Sequence, residues 1–326
     1  MGTLQRSHSD SLPPTEDIVQ VTWNTNLSHY AVLFLDLLGQ RKAMRLIEPA
    51  YRDAFRRRPG DAVSDEAMQA VRAAVGESVL AIQEFFMRFR WYMEDAENDR
   101  LRVLSRISPS SRDVADQSTR AQVEHRRYSD GLMVFAKIAP DSAHAPLGAL
   151  FKLFGLCRHM MLEQLALGRP LRGGIDINVG VRVQTDAVPE ASDDLLGPVV
   201  VSAYELESGT AKWPRIAVGP GVRFFLDAAS GEEARVSVGE IGLRLAPKLR
   251  DMLFLHKDGV TMFDWLGKAS NNVYGRPDST KVRKALASAR SQVDLWKAQD
   301  EEESRTLARR YAELADYIDS RRYLWT

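Results

Sequence analysis

The chain has 326 residues, and its 44 Lys and Arg residues balance 44 Asp and Glu residues, so the formal net charge at pH 7 is zero. This balance argues against a general nucleic-acid binder or a binder of anionic membranes, since both rely on a basic surface. A single cysteine, Cys157, excludes a disulfide framework within the chain and fits a reducing cytosol. We find no secretory signal and no apolar run near the ~20 residues of a membrane span, so we expect a soluble, cytoplasmic protein.

The first informative segment is a buried strand that ends in a carboxylate. Residues 30–38 read YAVLFLDLL, and this run of β-branched and aromatic residues predicts a strand. Asp36 and the turn residue Gly39 follow, and a helical pattern extends from about 41 to 55. Amides at a helix start attract phosphates, and a carboxylate binds the cation that accompanies them, although Asp36 as a plain turn residue is the alternative. Residues 1–17 are rich in Ser, Thr, Pro and charge, which predicts a disordered lead-in that we place over 1–27.

A long helix is predicted from Ser64. Apolar residues recur there at steps of three and four, which indicates a continuous stripe. Such a stripe is usually core, and its aromatic cluster leaves room for a subunit contact. A polar segment over 105–119 predicts a surface loop, so 64–119 is interpreted as a helical insertion. The stripe consists of Met68, Val71, Val75, Val79, Ile82, Phe86, Phe89 and Met93.

A β-hairpin is predicted over 123–138. Two extended runs are joined there by a short turn that contains Asp130 and Gly131, and Asp-Gly is the strongest local hairpin signal. Asp130 is either a turn residue or a second carboxylate at the hairpin tip. In the second case it lies beside Asp36 if the two strands are neighbours.

The remaining elements complete an α+β fold. Their order predicts a ferredoxin-like mixed sheet with helices packed on one face. Cys157 lies among apolar neighbours on one of these helices and is interpreted as a core residue. The predicted ranges are a helix over 146–167, a strand over 171–178 with a hairpin partner over 179–184, a helix beginning near 197, a strand over 215–218 and a hairpin over 253–263.

From Thr280 the pattern is helical to the end of the chain. Two runs with alternating steps of four and three resemble a coiled coil and are interrupted by Asp300 and Glu303. Packing on the chain's own body and contact in a dimer are equally open. We predict a lead-in over 1–27, a catalytic domain over 28–275 and a helical extension over 276–326.

Four motifs in this order resemble the catalytic core of class III nucleotidyl cyclases. The resemblance covers about residues 28–265. The insertion, the neutral composition and the helical tail are more similar to the bacterial pyrimidine cyclases of anti-phage (Pycsar) systems. The motifs are Phe34 to Gly39, Tyr128 to Gly131, Leu171 to Asp176 and Gly197 to Glu207.

The resemblance implies a two-metal site. In that family two aspartates hold two divalent cations, here Asp36 and Asp130, and the carbonyl of Leu37 joins them as a ligand. Oxygen ligands of this kind suit Mn²⁺ or Mg²⁺. The turn after Asp36 is expected to cradle the β- and γ-phosphates, and Phe34 to contact the sugar or base. The implied nucleotide-binding residues of this segment are Phe34, Leu37, Leu38, Gly39, Gln40 and Arg41.

Two departures from the family pattern concern the base. The purine-recognising Asp of the family falls on Pro198, whose side chain accepts no hydrogen bond. The base-selecting Lys falls on Arg126, and a guanidinium offers only donors. Donors suit the O4 atom of uracil better than the amino group of cytosine, so the resemblance favours UTP, with CTP as the alternative.

Two further departures concern the transition state. The family's Asn and Arg fall on Val201 and Glu205, and neither side chain can replace them. A residue of a partner subunit is one alternative, because class III sites form between the two subunits of a homodimer. Within the chain the candidates are Ser202, Tyr204, Arg172, Arg182 and Lys212.

Three functional hypotheses follow. The first is a pyrimidine cyclase that makes a second messenger for anti-phage defence, read by a separate cyclic-nucleotide-binding effector. The second is a degenerate cyclase domain that binds a nucleotide as a sensor or scaffold without turnover. The third is an α+β interaction protein whose aspartates are turn residues.

Overall fold

A computed structural model describes residues 27–38, 65–98, 121–138, 145–183, 194–231, 235–299 and 301–326. Within these ranges the chain forms one mixed eight-stranded sheet and eight α-helices, which confirms the predicted α+β class. The predictions for 1–26, for the helix over 41–55 and for the phosphate-turn residues Gly39, Gln40 and Arg41 lie outside the described residues.

The sheet has the order β2-β3-β1-β4-β6-β8-β7, and β5 pairs with β4. All neighbouring strands are antiparallel except β4 and β6, which are parallel. The strands are β1 (Leu27–Leu37), β2 (Glu124–Arg127), β3 (Gly131–Ile138), β4 (Leu171–Val183), β5 (Asp194–Leu196), β6 (Ile216–Val218), β7 (Leu253–Leu255) and β8 (Thr261–Phe263).

The helices lie before, between and after these strands, and a π-helical turn over Leu206–Thr210 follows the third helix. No helix within the described ranges is long and apolar enough to cross a membrane. The helices are α1 (Asp65–Asn98), α2 (Ala145–Ala166), α3 (Pro198–Glu205), α4 (Pro220–Ala229), α5 (Arg235–Arg250), α6 (Lys268–Tyr274), α7 (Ser279–Lys297) and α8 (Glu302–Asp319).

Strand β1 lies at the centre because its side chains are apolar on both sides. Leu33 and Leu35 enter the large core beneath α2, whereas Val32 and Phe34 enter a smaller core on the opposite face. Alternate residues of a strand point to opposite faces, so a run that is apolar throughout is buried between two layers. The predicted strand is confirmed, and so is the hairpin of β2 and β3.

The two faces of the sheet are covered unequally. Helix α2 fills the larger core, and Cys157 lies completely buried in it, where burial raises the pKa of the thiol. The smaller core has α3 as its helical cover, through Val199 and Ala203. Most helices are therefore on one face, and α3 is a single exception among the described helices.

The predicted hairpin over 171–184 is wrong. The segment is one continuous strand, β4, and its short antiparallel partner is β5. Residues 179–183 continue the extended backbone because they pair with β1 and β5 on either side. Gly180 lies closely beneath Tyr30, Leu195 and Val199, which shows that it serves close packing rather than a turn.

The apolar stripe of α1 is buried in its second half. Within the stripe Phe89 is buried in the large core, whereas Met68 and Val79 are more than a third exposed. Phe85, which lies beside the predicted stripe, is completely buried as well. Arg88 of α1 donates to Glu163 of α2 at 2.7 Å, which fixes the second half of the helix to the domain.

The two C-terminal helices pack on the chain's own body. Lys281 of α7 forms an ion pair with Glu163 of α2. The Tyr317 hydroxyl of α8 donates to Asp264 Oδ1 at 2.8 Å and accepts from the Leu266 amide at 3.1 Å. Arg321 Nε also donates to Asp264, at 2.5 Å. These contacts attach α7 to α2, and they attach α8 and the residues after it to the segment that follows β8.

The close approach of α3 to β4 gives a stability prediction. A Cβ atom at Gly174 would lie 2.5 Å from the Glu207 amide nitrogen and closer still to the Ala203 carbonyl oxygen. Since both neighbours are backbone atoms, Gly174→Ala should lower the free energy of unfolding by about 3 kcal/mol in urea denaturation.

The matched control is Gly209→Ala, because Gly209 has no atom within 4 Å of the added Cβ. Its effect should stay within about 0.5 kcal/mol. Equal effects of the two substitutions would contradict the close contact of α3 with the sheet.

Candidate active site

Two aspartates lie on neighbouring segments where β1 ends and β3 begins. The strand register pairs Asp36 with Gly131, so Asp130 lies at the adjoining position. The Leu37 amide donates to the Asp130 carbonyl at 3.4 Å, and the negative charge of Asp130 is felt at Asp36. The structure therefore brings together two aspartates that are far apart along the chain.

A third strand supplies a cation to the same end of the sheet. Arg172 of β4 is the register partner of Asp36, and its Nη2 atom donates to Asp36 Oδ2 at 3.0 Å. The same guanidinium lies 2.6 Å from a carboxylate oxygen of Glu207, in the π-helical turn after α3. Arg172 thus bridges a strand-end carboxylate and a carboxylate that is 4% exposed.

The electrostatic balance leaves Asp36 harder to ionise than an ordinary aspartate. Burial has the largest effect and raises the pKa, Arg172 lowers it, and the charge of Asp130 raises it again. The net pKa of Asp36 is above the ordinary value of 3.8. Its charge therefore opposes folding unless a cation in addition to Arg172 compensates it.

The donor chemistry of this site fits a hard divalent cation. Mg²⁺ and Mn²⁺ commonly bind through one or two carboxylates together with waters and substrate phosphates. Asp36 and Asp130 provide such a pair, and the carbonyl of Leu37 adjoins them in the chain. Across the part of the chain that the structure describes, no group of three or more His, Cys, Asp or Glu side chains forms a metal cluster. The pair fits ions that arrive with a phosphate ligand.

An aromatic surface adjoins the carboxylates. Phe34 lies two residues before Asp36 on the same face of β1, and its ring centroid is 5.8 Å from those of Tyr128 and Tyr204. Tyr128 and Tyr204 are about half exposed, at 49% and 52%. Two rings beside a buried phenylalanine give an accessible apolar surface that a sugar or base could contact.

Arg126 lies across the sheet from Phe34. The register joins Phe34 to Met133 and Met133 to Arg126, so the three side chains form a row on one face. The Arg126 guanidinium donates to the His125 carbonyl at 2.8 Å and lies 3.4 Å from Asp194 Oδ1. Its position on the predicted base side is compatible with base contact after it exchanges these partners.

The remaining predicted residues are Pro198 and Ser202, which belong to α3, and Leu38, which follows β1. Pro198 begins α3, and the Ser202 hydroxyl donates to the Val199 carbonyl at 3.2 Å. The Leu38 amide donates to the Pro170 carbonyl at 2.9 Å, which ties the turn after Asp36 to the segment before β4. Both α3 residues are on the face that carries Phe34.

Arg182 lies far from the carboxylates of its own chain. Arg182 lies ten residues beyond Arg172 along β4, which is roughly 33 Å at the rise of an extended strand. It forms an ion pair with Glu124 at 2.9 Å instead. Arg172, by contrast, is in direct contact with Asp36. Sequence reasoning missed the contact of Arg172 with Glu207, because this contact depends on how the π-helical turn after α3 packs against β4.

The raised pKa of Asp36 predicts how stability responds to pH. Above the shifted pKa, the charged carboxylate destabilises the fold, and Asn at this position carries no charge. In EDTA, Asp36→Asn should have a higher free energy of unfolding than wild type at neutral pH, and the gain should shrink as the pH falls toward 3.8. Urea denaturation from about pH 4 to about pH 8 measures this.

Asp258→Asn is a control of opposite sign. Burial raises the pKa of Asp258, but hydrogen bonds with His256 and Arg215 outweigh it and lower the pKa to about 2. The charge of Asp258 therefore stabilises the fold above the unfolded-state pKa, and this is lost as the pH falls through about 2. Asp258→Asn should lose stability at neutral pH. A loss of stability in Asp36→Asn as well would contradict the electrostatic account of the site.

Comparison with solved structures gives 15 matching chains, and the two described below are distant likenesses. No protein-family model matches the sequence, and no curated protein matches it. One solved structure that resembles the chain is a bacterial light-regulated adenylyl cyclase, with a TM-score of 0.34 and 14% identity over 62% of this chain and 46% of that one. Another of the same description has a TM-score of 0.35 and 13% identity over 71% of this chain and 58% of that one. The chain thus spans about half the length of the structures it matches, and the functional argument rests on the site itself.

Proposed function

We propose that the chain is a nucleotidyl cyclase that converts a pyrimidine nucleoside triphosphate, preferably UTP, to its 3′,5′-cyclic monophosphate and pyrophosphate. The observation that carries this proposal is the meeting of Asp36 and Asp130 at adjoining strand ends, beside Arg172. Two carboxylates and a guanidinium on one sheet edge suit a polyphosphate and its cations. The resemblance of the four sequence motifs to class III cyclases supports the same reaction.

The reaction makes one bond and breaks one bond at the α-phosphorus. The 3′-oxygen loses its proton and attacks, and the bond to pyrophosphate breaks in line with the attack. When bound, two Mg²⁺ or Mn²⁺ ions would neutralise phosphate charge and lower the pKa of the 3′-hydroxyl. Asp36 and Asp130 are the residues that would hold these ions.

The chain's other residues bind and orient the nucleotide. Arg172 donates charge-assisted hydrogen bonds to a phosphate oxygen once Asp36 is engaged elsewhere, and Glu207 keeps its guanidinium oriented. Phe34, Tyr128 and Tyr204 contact the sugar or base. Such contacts position the 3′-oxygen for attack, and correct positioning alone gives a large rate effect.

Base selection is assigned to Arg126. Its guanidinium donates to the O4 acceptor of uracil, whereas the amino group of cytosine offers it no acceptor. A site that hydrogen-bonds one base rejects another that leaves buried partners unsatisfied. This favours UTP, with CTP as the alternative substrate.

The proposal includes a homodimer and a cellular role. Val201 and Tyr204 of α3 are exposed on the sheet face that has the smaller helical cover, at 55% and 52%. A second copy on this face would bring new side chains toward the carboxylates, in place of the Asn and Arg that the family has at Val201 and Glu205. As part of the same proposal, the cyclic product is a cytoplasmic second messenger in anti-phage defence, read by a separate effector.

A nucleotide-binding protein without turnover is the second candidate. Its support is specific: Val201 and Glu205 occupy the two positions where the family has its transition-state Asn and Arg. Nucleotide binding that depends on Mn²⁺, without release of pyrophosphate, would favour this candidate over the cyclase.

Product analysis tests the reaction and its substrate. The full chain is incubated with ATP, GTP, CTP or UTP and Mn²⁺, and the cyclic products are resolved by chromatography and mass spectrometry. We expect cyclic UMP as the main product, because Arg126 offers donors and Pro198 offers no acceptor. Cyclic AMP as the main product would reject the assignment of the base.

Asp36→Asn and Asp130→Asn test the two-metal site. Each should lower kcat by about 1,000-fold or more, since losing several kcal/mol of charge stabilisation costs a decade for each ~1.4 kcal/mol. Asp227→Asn is the control, because Asp227 lies at the surface of α4 in an exposed ion pair with Arg250. Unchanged turnover in both site variants would refute the assignment of Asp36 and Asp130 as metal ligands. Misfolding could not explain that result if Asp36→Asn also has the stability predicted above.

A further inference from the structure

We propose that Arg310 of α8 and Arg172 of β4 form an anion subsite that binds the triphosphate and the departing pyrophosphate, so that the C-terminal helices are part of the active site. This inference rests on the proposed function, which it extends to a residue outside the predicted catalytic domain. Nothing in the sequence pattern marks Arg310 apart from the other arginines of this helix.

The orientation of α8 is fixed by its second half. Tyr317 is buried against the segment after β8, and its hydroxyl bonds to Asp264 and to the Leu266 amide. One turn earlier, Glu313 pairs with Lys257 of the β7–β8 hairpin at 2.8 Å. These contacts prevent α8 from rotating about its axis.

The Arg310 side chain projects from the same side of α8 as that of Tyr317. The two positions are seven residues apart, which is close to two turns at about 3.6 residues per turn. Since Tyr317 faces the body of the domain, Arg310 faces it as well. Arg310 is partly buried, whereas the adjacent Arg309 is exposed.

The part of the domain that α8 faces adjoins the start of β4. The Tyr317 ring is 6.3 Å from the ring of Trp213, and the Arg215 guanidinium is 5.2 Å from the same indole. The Arg215 carbonyl accepts from the Gly173 amide at 2.9 Å, directly after Arg172. The helix therefore lies along the sheet edge at which Arg172 meets Asp36.

The electrostatics of Arg310 agree with this placement. Burial lowers the pKa of the Arg310 guanidinium, and the positive charge of Arg172 lowers it further, so the two cations are within electrostatic reach. Glu303 opposes this effect. In the described parts of the chain, no ion pair within 4.0 Å joins Arg310 to a carboxylate.

Arg172 and Arg310 are within electrostatic reach of each other, so one polyphosphate can be shared between them. A phosphate oxygen accepts charge-assisted hydrogen bonds from each planar guanidinium group. Arg172 already pairs with Asp36 and Glu207, whereas among the described residues no carboxylate lies within ion-pair distance of Arg310. Arg310 is therefore the donor that an incoming polyphosphate can recruit at low cost.

Binding of inorganic pyrophosphate to the full chain tests the subsite directly. Titration calorimetry with excess Mg²⁺ at constant ionic strength compares wild type, Arg310→Gln and the matched control Arg309→Gln. Arg310→Gln should weaken pyrophosphate binding about tenfold, which is the loss of one hydrogen-bonded charge, and Arg309→Gln less than about twofold. Arg310→Lys should recover part of the affinity.

Stability without a ligand separates binding from structure. Since Arg310→Gln removes a like-charge repulsion, its Tm without pyrophosphate should equal or exceed that of wild type. A variant that loses stability but keeps pyrophosphate affinity would show that Arg310 is structural, and the proposal would fall. Absence of pyrophosphate binding to wild type would also overturn it.

The outcomes distinguish this inference from the proposed function. If wild type forms a cyclic nucleotide and Arg310→Gln matches Arg309→Gln in pyrophosphate affinity and KM, the subsite fails alone. If wild type forms no cyclic nucleotide but Arg310→Gln weakens pyrophosphate binding, the subsite stands as a polyphosphate site and the cyclase proposal fails.

Discussion

The antiparallel pairing of β1 with β3 on one side and β4 on the other is the constraint on which the site depends. A one-residue slip in either register would turn Asp36 to the opposite face of the sheet, away from Arg172 and into the apolar layer under α2. The apolar residues of β1 prevent this slip, because Leu33 and Leu35 fill one core and Val32 and Phe34 the other. The position of the functional carboxylate is thus fixed by the packing of its uncharged neighbours.

The site holds its charge at a cost to stability. Asp36 is partly withdrawn from water, and one guanidinium shared with Glu207 does not fully compensate it. A protein selected only for stability would replace such a group, since a buried charge without full compensation destabilises the fold. A site that binds a cation and a polyanion gains from the same arrangement, because charge that is uncompensated in the free protein is what the ligand recognises.

Local patterns predicted the parts of the fold that local physics determines. The apolar run of β1, the Asp-Gly turn of the β2–β3 hairpin and the stripes of α7 and α8 were each identified from the sequence, and the structure confirms them. The end of β4 was predicted wrongly, because the pairing of residues 179–183 depends on strands far along the chain. The adjacency of Asp36 and Asp130 could be expected only if their strands were neighbours. The bridge from Arg172 to Glu207 and the position of Arg310 depend on how a helical turn and a C-terminal helix dock, and no spacing in the sequence encodes that.

Gly174 gives the site one more property. At this position α3 and β4 touch backbone to backbone, and no layer of side chains separates them. Elsewhere in a core, a displaced helix can be accommodated when side chains change rotamer, but two polypeptide backbones in contact have no such freedom. Any movement of α3 away from β4 therefore moves the Glu207 backbone, and with it the carboxylate that contacts Arg172, so efforts to reshape this pocket by design must reposition the helix rather than exchange single residues.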